Sequence, residues 1–469
     1  MSVVAQAMVT MEQLVEYTLT AVKDQPYIPL VVAEFRHITV GGAISGASLE
    51  STSHRYGQLM DVVLWVKLRL GNGDIVTSNR NDDLWCHVSS TYGTMAIVLE
   101  AALECVKATP YVQVSYYAAS TIEELTQRLI QESRPRSSSL WSDDNDQDDE
   151  CFLEGLQWPK EYHPWTGTVA GVLMKGQMIG DSSTTTTTTN SSTYRLGWKV
   201  PNPGGPFYYE HVADLVTDHV QRRGPTVSLS SSSITEPFVQ EVLEIRDYLF
   251  RYDPGAFWMA RPLVFEWKHF GSYFPFTIGL FVASYRWVRK WFMTGYAFTT
   301  HNLFGWLKMA PPSIVASNMI VQDMYMPSAM AATELISWVR THVPLSTPIW
   351  LCPVKSNDNQ PFTPSYQKDN VVMINCGIYG RVGDGQGRWY TQQLEALCRR
   401  LGGRKMLYAQ SHYDKSTFWK IYDAKLYDTK RRQFKADDAF PSLLDKTCGR
   451  PIPERDPNSW KEWIISLLL

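Results

Sequence analysis

The chain has 469 residues, 44% of them hydrophobic, with 44 Lys and Arg against 47 Asp and Glu. That is apolar material for two or three domain cores, and the balanced charge without a long basic run excludes a nucleic-acid binder on electrostatic grounds. The seven cysteines, Cys86, Cys105, Cys151, Cys352, Cys376, Cys398 and Cys448, are odd in number and show no CxxC spacing. They argue against a disulfide framework and for a reducing, intracellular compartment.

The N-terminus "MSVVAQAMVTMEQLVEY" has no basic n-region and no unbroken apolar core, so it reads neither as a signal peptide nor as a membrane span, and secretion is not expected. "MEQLVEYTLTAV" spaces its apolar residues as an amphipathic helix, and "YIPLVVAEF" reads as a strand. The strand runs into "HITVGGAISGASLESTSHRYG", His37 to Gly57, read as a glycine-rich loop. Glycines let backbone amides approach an anion closely, which suits a pyrophosphate; "GGAISG" nevertheless lacks the G-x-G-x-x-G spacing of a nicotinamide Rossmann domain.

"MDVVLWVKLRLGNGDIVTS" reads as a hairpin about a Gly-Asn-Gly-Asp turn. "DDLWCHVSSTYGTMAIVLEAALECVKA" follows as a short helix, a turn at Gly93 and Thr94, and a strand ending near Val106. "YVQVSYYAASTIEELTQRLIQES" switches from period two to period 3.6 and starts a second lobe. Two polar runs, Arg134 to Glu150 and Gly180 to Thr193, are too poor in apolar residues to order themselves, and "CFLEGLQW" and "GTVAGVLMKG" between them read as paired strands. The segment Phe274 to Phe292 interleaves rings with Arg286, Arg289 and Lys290; it is too short in apolar run to span a bilayer but suits a membrane surface. "MIVQDMYMP", "TPIWLCPV" and "VVMINCGIYG" supply strands, and helices are expected over Ser328–His342 and Tyr390–Leu401, giving an α/β sheet with helices on one face.

The order of the glycine-rich segment, the hairpin and "GTMAIVLEAAL" resembles the second half of the FAD-binding domain of the vanillyl-alcohol-oxidase, or PCMH, superfamily. Within it, "TVGGAISGASLESTSHRYG", "FGWLKMAPP", "VQDMYMP", "PIWLCP", "INCGIYG", "KMLYAQSHYDKSTFWKIYD" and "DAFPSLLDKTCG" are similar in order to the delta(24)-sterol reductase family, covering nearly all the chain outside the polar runs. The implied fold is α+β: an N-terminally incomplete PCMH-type lobe, residues 1–108, and an α/β substrate (cap) lobe, residues 109–469, with an aromatic, membrane-facing segment at 270–310. The family begins with a membrane anchor and a first FAD subdomain, and this sequence starts after both. It also has Ala96 where the superfamily usually has Gly.

The chemistry implied by the resemblance is FAD-dependent reduction of an isolated C=C bond in a sterol- or terpenoid-like lipid, with non-covalent FAD and NADPH as reductant, at the endoplasmic reticulum membrane. Cofactor contacts carried over are Thr39, Val40, Gly41, Gly42, Ala43, Ile44, Ser45, Gly46, Ser51, Ser53, His54, Gly57, Gly93, Thr94 and Ile97. Such a reaction needs a proton donor, for which Tyr408, His412 and Lys415 in one loop, and His54 in the other, are the candidates. Glu50 reads as a solvated carboxylate and Asp323 as a residue fixing a strand end. No His/Cys/Asp set has metal-ligand spacing, so no metal is expected, and no G-x-S-x-G elbow supports a serine hydrolase. Two alternatives are a non-catalytic lipid-binding descendant without FAD, and a flavin oxidase or isomerase of a secondary metabolite.

Overall fold

The computed structural model describes residues 1–134, 152–159, 169–180, 197–199, 206–223, 236–259, 300–302, 305, 310–369 and 371–448. The polar runs and the aromatic segment named above lie almost wholly outside these residues.

The first lobe is an antiparallel sheet of β1 (Ser2–Gln6), β2 (Tyr27–Pro29), β3 (Val63–Arg69), β4 (Ile75–Asn79) and β5 (Ile97–Lys107), in the order β1-β5-β3-β4 with β2 also on β5. Helix α1 (Met11–Thr20) begins at a capping box between Thr10 and Gln13 and buries Met11, Leu14 and Val15. The expected hairpin is present: Leu70 N donates to Asp74 O at 2.9 Å, and Gly73 takes the left-handed φ of 93° that the turn requires. The expected strand "YIPLVVAEF" is shorter than its apolar run. It pairs only to Pro29, and Val31, Val32 and Ala33 go into the core as irregular chain.

The second lobe is built on an eight-stranded sheet ordered β13-β10-β12-β11-β7-β8-β6-β9. Its strands are β6 (Tyr111–Ala119), β7 (Phe152–Gln157), β8 (Gly171–Ile179), β9 (Val239–Glu244), β10 (Met319–Met326), β11 (Ile349–Lys355), β12 (Val372–Arg381) and β13 (Arg404–Lys405). All its described pairings are antiparallel, which corrects the expected α/β sheet. The two strands flanking a helix are not neighbours; a third strand sits between them. Thus β6 and β7, joined through α4 (Ile122–Glu132), flank β8, while β10 and β11, joined through α8 (Ala329–His342), flank β12. The halves β9-β6-β8-β7 and β13-β10-β12-β11 have the same order, that of a split β-α-β unit, so the sheet is two such units joined edge to edge where β11 meets β7.

Between these landmarks lie α2 (Val40–Gly46), α3 (Ser53–Tyr56), α5 (Tyr208–Arg223), α6 (Ile245–Leu249), α7 (Pro312–Asn318), α9 (Gly387–Arg400), α10 (Lys415–Tyr422), α11 (Ala424–Gln433) and α12 (Leu443–Thr447). Period two along each strand splits the sheet's side chains between two cores. Ile320, Met324, Leu351 and Ile374 pack against α4, α8 and α9 on the outer face. Tyr325, Trp350, Cys352 and Tyr379 face inward and join the core of the first lobe. The helices α11 and α12 return to the first lobe: the Tyr427 hydroxyl meets Thr94 Oγ1 at 2.9 Å, and Arg431 donates to Thr94 O at 2.8 Å.

The glycine-rich segment is the main local surprise, because Val40–Gly46 is a helix and not a loop. Thr39 caps it, its Oγ1 accepting from Gly42 N at 3.2 Å, and Ala47 closes it with a left-handed φ of 57°. Close packing requires glycine at Gly41 but not at Gly46: a Cβ at Gly41 would stand 2.7 Å from Ala7 Cβ, whereas one at Gly46 would stand 3.9 Å from Tyr92 Cε1. Gly41→Ala is therefore expected to destabilise the protein by about 1–3 kcal/mol through overpacking. Gly46→Ala should raise stability by up to about 1 kcal/mol through helix propensity. Urea denaturation of both variants checks the pair, and two shifts of the same sign would contradict the packing described.

Candidate active site between the two lobes

The strand pair β10–β13 places the first functional group. After β13, Met406 N donates to Asp323 O at 3.0 Å, so the chain continues along the edge of β10 and brings Tyr408 over Asp323. The Tyr408 hydroxyl donates to Asp323 Oδ2 at 2.5 Å. Tyr379 and Asn375, inward-facing residues of β12, donate to Asp323 Oδ1 at 2.6 and 2.8 Å. Asp323 is 3% exposed and Tyr408, as a residue, 48% exposed; the Tyr408 hydroxyl is buried against the carboxylate while the rest of the residue reaches the surface. Burial pushes the Asp323 carboxyl up, against three hydrogen bonds that pull it down, and the Tyr379 and Tyr408 phenols stand well above their usual value through burial and then the Asp323 charge. The expectation that Asp323 merely fixes a strand end is thus corrected.

The glycine-rich helix reaches this group through Tyr92. Tyr92 N donates to Ser45 O at 3.0 Å, and its hydroxyl accepts from Leu407 N, next to Tyr408, at 2.9 Å. Ser90 and Tyr92 both hold left-handed φ, 59° and 52°, a strained turn of the kind found at functional sites. The Lys446 ammonium bonds Tyr92 O from the C-terminal side. On α2, Gly42 is exposed and Ser45 and Gly46 are half-buried; their three- and four-residue spacing puts them on one side, a strip with almost no side chain beside Tyr92. Val40, Ala43 and Ile44 lie in the core.

Of the groups expected to face a pyrophosphate and flavin, at Val40, Gly41, Gly42, Ser45 and Gly46, the first three amides are already engaged. Val40 N donates to Val9 O at 2.8 Å and Gly41 N to Ala7 O at 2.9 Å, so the turn after β1 has taken these donors, and Thr39 takes that of Gly42. The strip Gly42–Ser45–Gly46 carries only the short Ser45 side chain; a pyrophosphate finds no free donor at the start of this helix.

The remaining expected residues fall into separate groups. Ser51, Ser53 and His54 are buried around α3: Ser51 Oγ donates to Glu50 Oε1 at 2.6 Å, Ser53 Oγ accepts from Glu50 N at 2.9 Å, and His54 Nδ1 lies 2.8 Å from Ser51 O. Burial lowers the His54 pKa to about 4, so the ring is neutral at physiological pH. Gly57 ends α3 with a φ of 78°. Gly93, with a φ of 71°, and Thr94 lie under the C-terminal helices, and Ala96 is buried in the core. Ile97 stands 48% exposed on β5 opposite Arg69 and joins neither group.

His412 belongs to a second set behind Tyr408. Its backbone N–H donates to Glu395, which pairs with the buried Lys405 ammonium at 2.9 Å, and its Nε2 has no hydrogen-bond partner among the described residues. Burial lowers its pKa, against the attraction of Glu395. Lys415 opens α10, exposed, and shares no described hydrogen bond with either set. Among the described residues no cluster of His, Cys, Asp and Glu could hold a metal ion.

Glu50 is fully buried, which corrects its reading as a solvated carboxylate. Arg251, after α6, donates through Nη2 to Glu50 Oε1 at 3.1 Å and through Nε to Glu154 Oε1 at 3.0 Å, and Trp350 Nε1 donates to Glu154 Oε2 at 2.7 Å. Neither Arg251 nor Glu154 carries a local sequence signal; both are recognisable only once β7 faces the first lobe.

The neutral buried histidine has a measurable consequence. Between about pH 6.5 and 4 the unfolded chain takes up a proton at His54 that the folded one refuses, so stability falls with falling pH by at most about 1.4 kcal/mol per unit. His54→Gln is expected to remove this fall, read as a pH-dependent difference in urea midpoint between variant and parent. A constant difference across that window would contradict it.

Residues 1–79 match the family described as an FAD binding domain. The delta(24)-sterol reductase of Mus musculus is 25% identical over 437 residues, covering 89% of this chain and 69% of the relative. The delta(24)-sterol reductase homolog dhcr-24 of Caenorhabditis elegans is 24% identical, covering 96% and 75%. The Arabidopsis thaliana delta(24)-sterol reductase is 23% identical, covering 89% and 68%. Over most of its length, then, the chain is similar to the delta(24)-sterol reductases, and its first 79 residues match an FAD binding domain.

Proposed function

We propose that the protein is an FAD-dependent reductase of an isolated C=C bond in a sterol- or terpenoid-like lipid, with NADPH as electron donor. The similarity to delta(24)-sterol reductases and the FAD-binding-domain match support the flavin oxidoreductase class. The observation that carries the chemistry is the Tyr408 hydroxyl seated on buried Asp323, in a residue that itself reaches the surface. Bound FAD, its ring against Gly42, Ser45 and Gly46, would supply hydride chemistry.

The chain's own contribution is the proton. An isolated alkene accepts hydride poorly unless positive charge builds on carbon, so a donor must be held at a dry site. Tyr408 stays protonated across the physiological range because burial holds its phenol high. Tyr379 and Asn375 occupy Asp323 Oδ1 and leave Oδ2 to Tyr408. A proton on Oδ2 would donate to the tyrosyl oxygen and free the tyrosyl hydrogen for substrate. Phe257 and Trp258, buried with ring centroids 5.2 and 6.0 Å from Tyr379, pack behind it and keep that side of Asp323 dry. His412, whose buried Nε2 has no partner among the described residues, is the second donor candidate, and His54 and Lys415 take lesser places: the one is neutral and tied to Ser51, the other solvent-facing.

A lipid-binding descendant without flavin is the second reading, favoured by the engaged amides of Val40 to Gly42. We place the enzyme at the endoplasmic reticulum membrane through the segment Phe274 to Phe292, and charge reversal at Arg286, Arg289 and Lys290 should release it from the membrane fraction. Among the described residues no helix is long and apolar enough to cross a membrane.

Purified protein is expected to show a flavin spectrum that NADPH bleaches anaerobically. Tyr408→Phe should lower kcat for alkene reduction by roughly 10²–10⁴-fold while bleaching is preserved. Asp323→Asn should also lower kcat and shift its pH profile. A colourless protein that takes up no FAD would leave the lipid-binding reading; loss of bleaching in Tyr408→Phe would remove the acid role.

A further inference from the structure

The densest buried charge lies away from Tyr408, where three carboxylates meet one cation. Glu34 follows β2 in the irregular apolar stretch of the first lobe and is 7% exposed; Glu50, Glu154 and Arg251 are fully buried. Arg251 is committed to Glu50, Glu154, Ser51 Oγ and the carbonyl of Tyr248. Glu154 is satisfied by Arg251 and Trp350. Glu34 and Glu50 are not: Glu34 Oε1 and Glu50 Oε2 are buried without a donor, although the two side chains lie within hydrogen-bonding reach of each other.

Two acceptors facing each other in a dry site are satisfied together only if one carries a hydrogen. With both ionised, like charges would meet in low dielectric with a single guanidinium shared among three carboxylates. We propose that Glu34 and Glu50 share one proton in the folded protein, forming a carboxyl–carboxylate pair that fastens the first lobe to Arg251 and β7 and loosens when the proton is lost. The groups facing the pair are known for each packed element. Arg251 and Tyr248 come from α6 and the chain after it, Glu154 from β7, Cys352 and Trp350 from β11, and Tyr379 from β12. Arg251 is the one cation among them, and its bonds to Glu50 and Glu154 leave the Glu34 side of the pair to the shared proton.

The direction of the pH effect follows from the geometry. The folded pair holds a proton that unfolded glutamates release near pH 4.5, in agreement with burial and the Glu50 charge raising Glu34. Its contribution is complete below that pH and is lost as pH rises, at most about tenfold in the folding constant per unit. His54 and Asp61, the latter raised to about 6 by burial, also titrate between pH 4 and 6.5 and slope in opposite directions, so the difference between variant and parent is the informative quantity.

Glu34→Gln replaces the shared hydrogen with an amide donor that does not titrate. Denaturation of parent and variant between pH 5 and 8.5 should show the variant gaining on the parent as pH rises, while Glu154→Gln shows no such gain. Infrared spectra of the parent at pH 7 should contain the C=O stretch of a protonated carboxylic acid, and the difference spectrum against Glu34→Gln should show the loss of one such band beyond any from Asp323 or Asp61. Parallel pH curves for parent and Glu34→Gln would overturn the proposal. So would a parent spectrum without the protonated carboxyl band, which decides the matter even if the variant does not fold.

Discussion

A guanidinium with no solvent contact holds the two lobes in place. Arg251 reaches Glu50 in the first lobe and Glu154 on β7, and the rings of Tyr248 and Tyr252 lie 4.2 and 4.8 Å from its carbon. Such a network adds little net stability, because desolvation offsets attraction, but removing one partner strands a charge at a cost of about 3–5 kcal/mol. Its effect is to define one arrangement: a slide of the sheet across the first lobe would break the Arg251 bonds. The Leu407–Tyr92 hydrogen bond, and so the approach of Tyr408 to α2, depends on that fixed placement.

The inner face of the eight-stranded sheet is accordingly unusual for a buried surface. Asp323, Asn375 and Tyr379 lie toward one edge and Glu154 at the seam, among Tyr325, Trp350 and Cys352. Each polar group there is bonded to a residue far away in sequence, so the face is polar where the lobes must be aligned and aromatic elsewhere. The Asp323 carboxylate, bonded by Tyr379, Asn375 and Tyr408, is thereby held out of water.

Local features were readable from sequence because their physics is local. The Gly-Asn-Gly-Asp turn, the amphipathic helix that begins at Met11 and the periodic α4 and α8 need only neighbouring residues, and the ordered motifs led to the flavin-enzyme class. The helix at Val40 was hidden because consecutive glycines look like a loop, and the carbonyls of Ala7 and Val9 that claim its amides come from a separate turn. Asp323 and Tyr408 stand 85 residues apart and meet only through the β10–β13 pairing. Glu50 looked like a surface acid among Ser and Thr because Arg251, 201 residues later, is what makes its burial tolerable. Antiparallel order was likewise invisible: strand–helix–strand spacing does not reveal that a third strand inserts between the two.

The duplicated sheet has shared out two demands between its copies. The polar runs Arg134 to Glu150 and Gly180 to Thr193 both interrupt the copy made of β6 to β9, whereas the other joins α8 to β11 and β12 to α9 by short links. Lengthening a connection adds closure entropy only slowly, so one copy has tolerated expansion. The compact copy holds Asp323, Asn375 and Tyr379 at fixed spacing and leads directly into Tyr408. Doubling a simple unit thus leaves one copy with long connections and its sister with the short ones that hold the Asp323 cluster together.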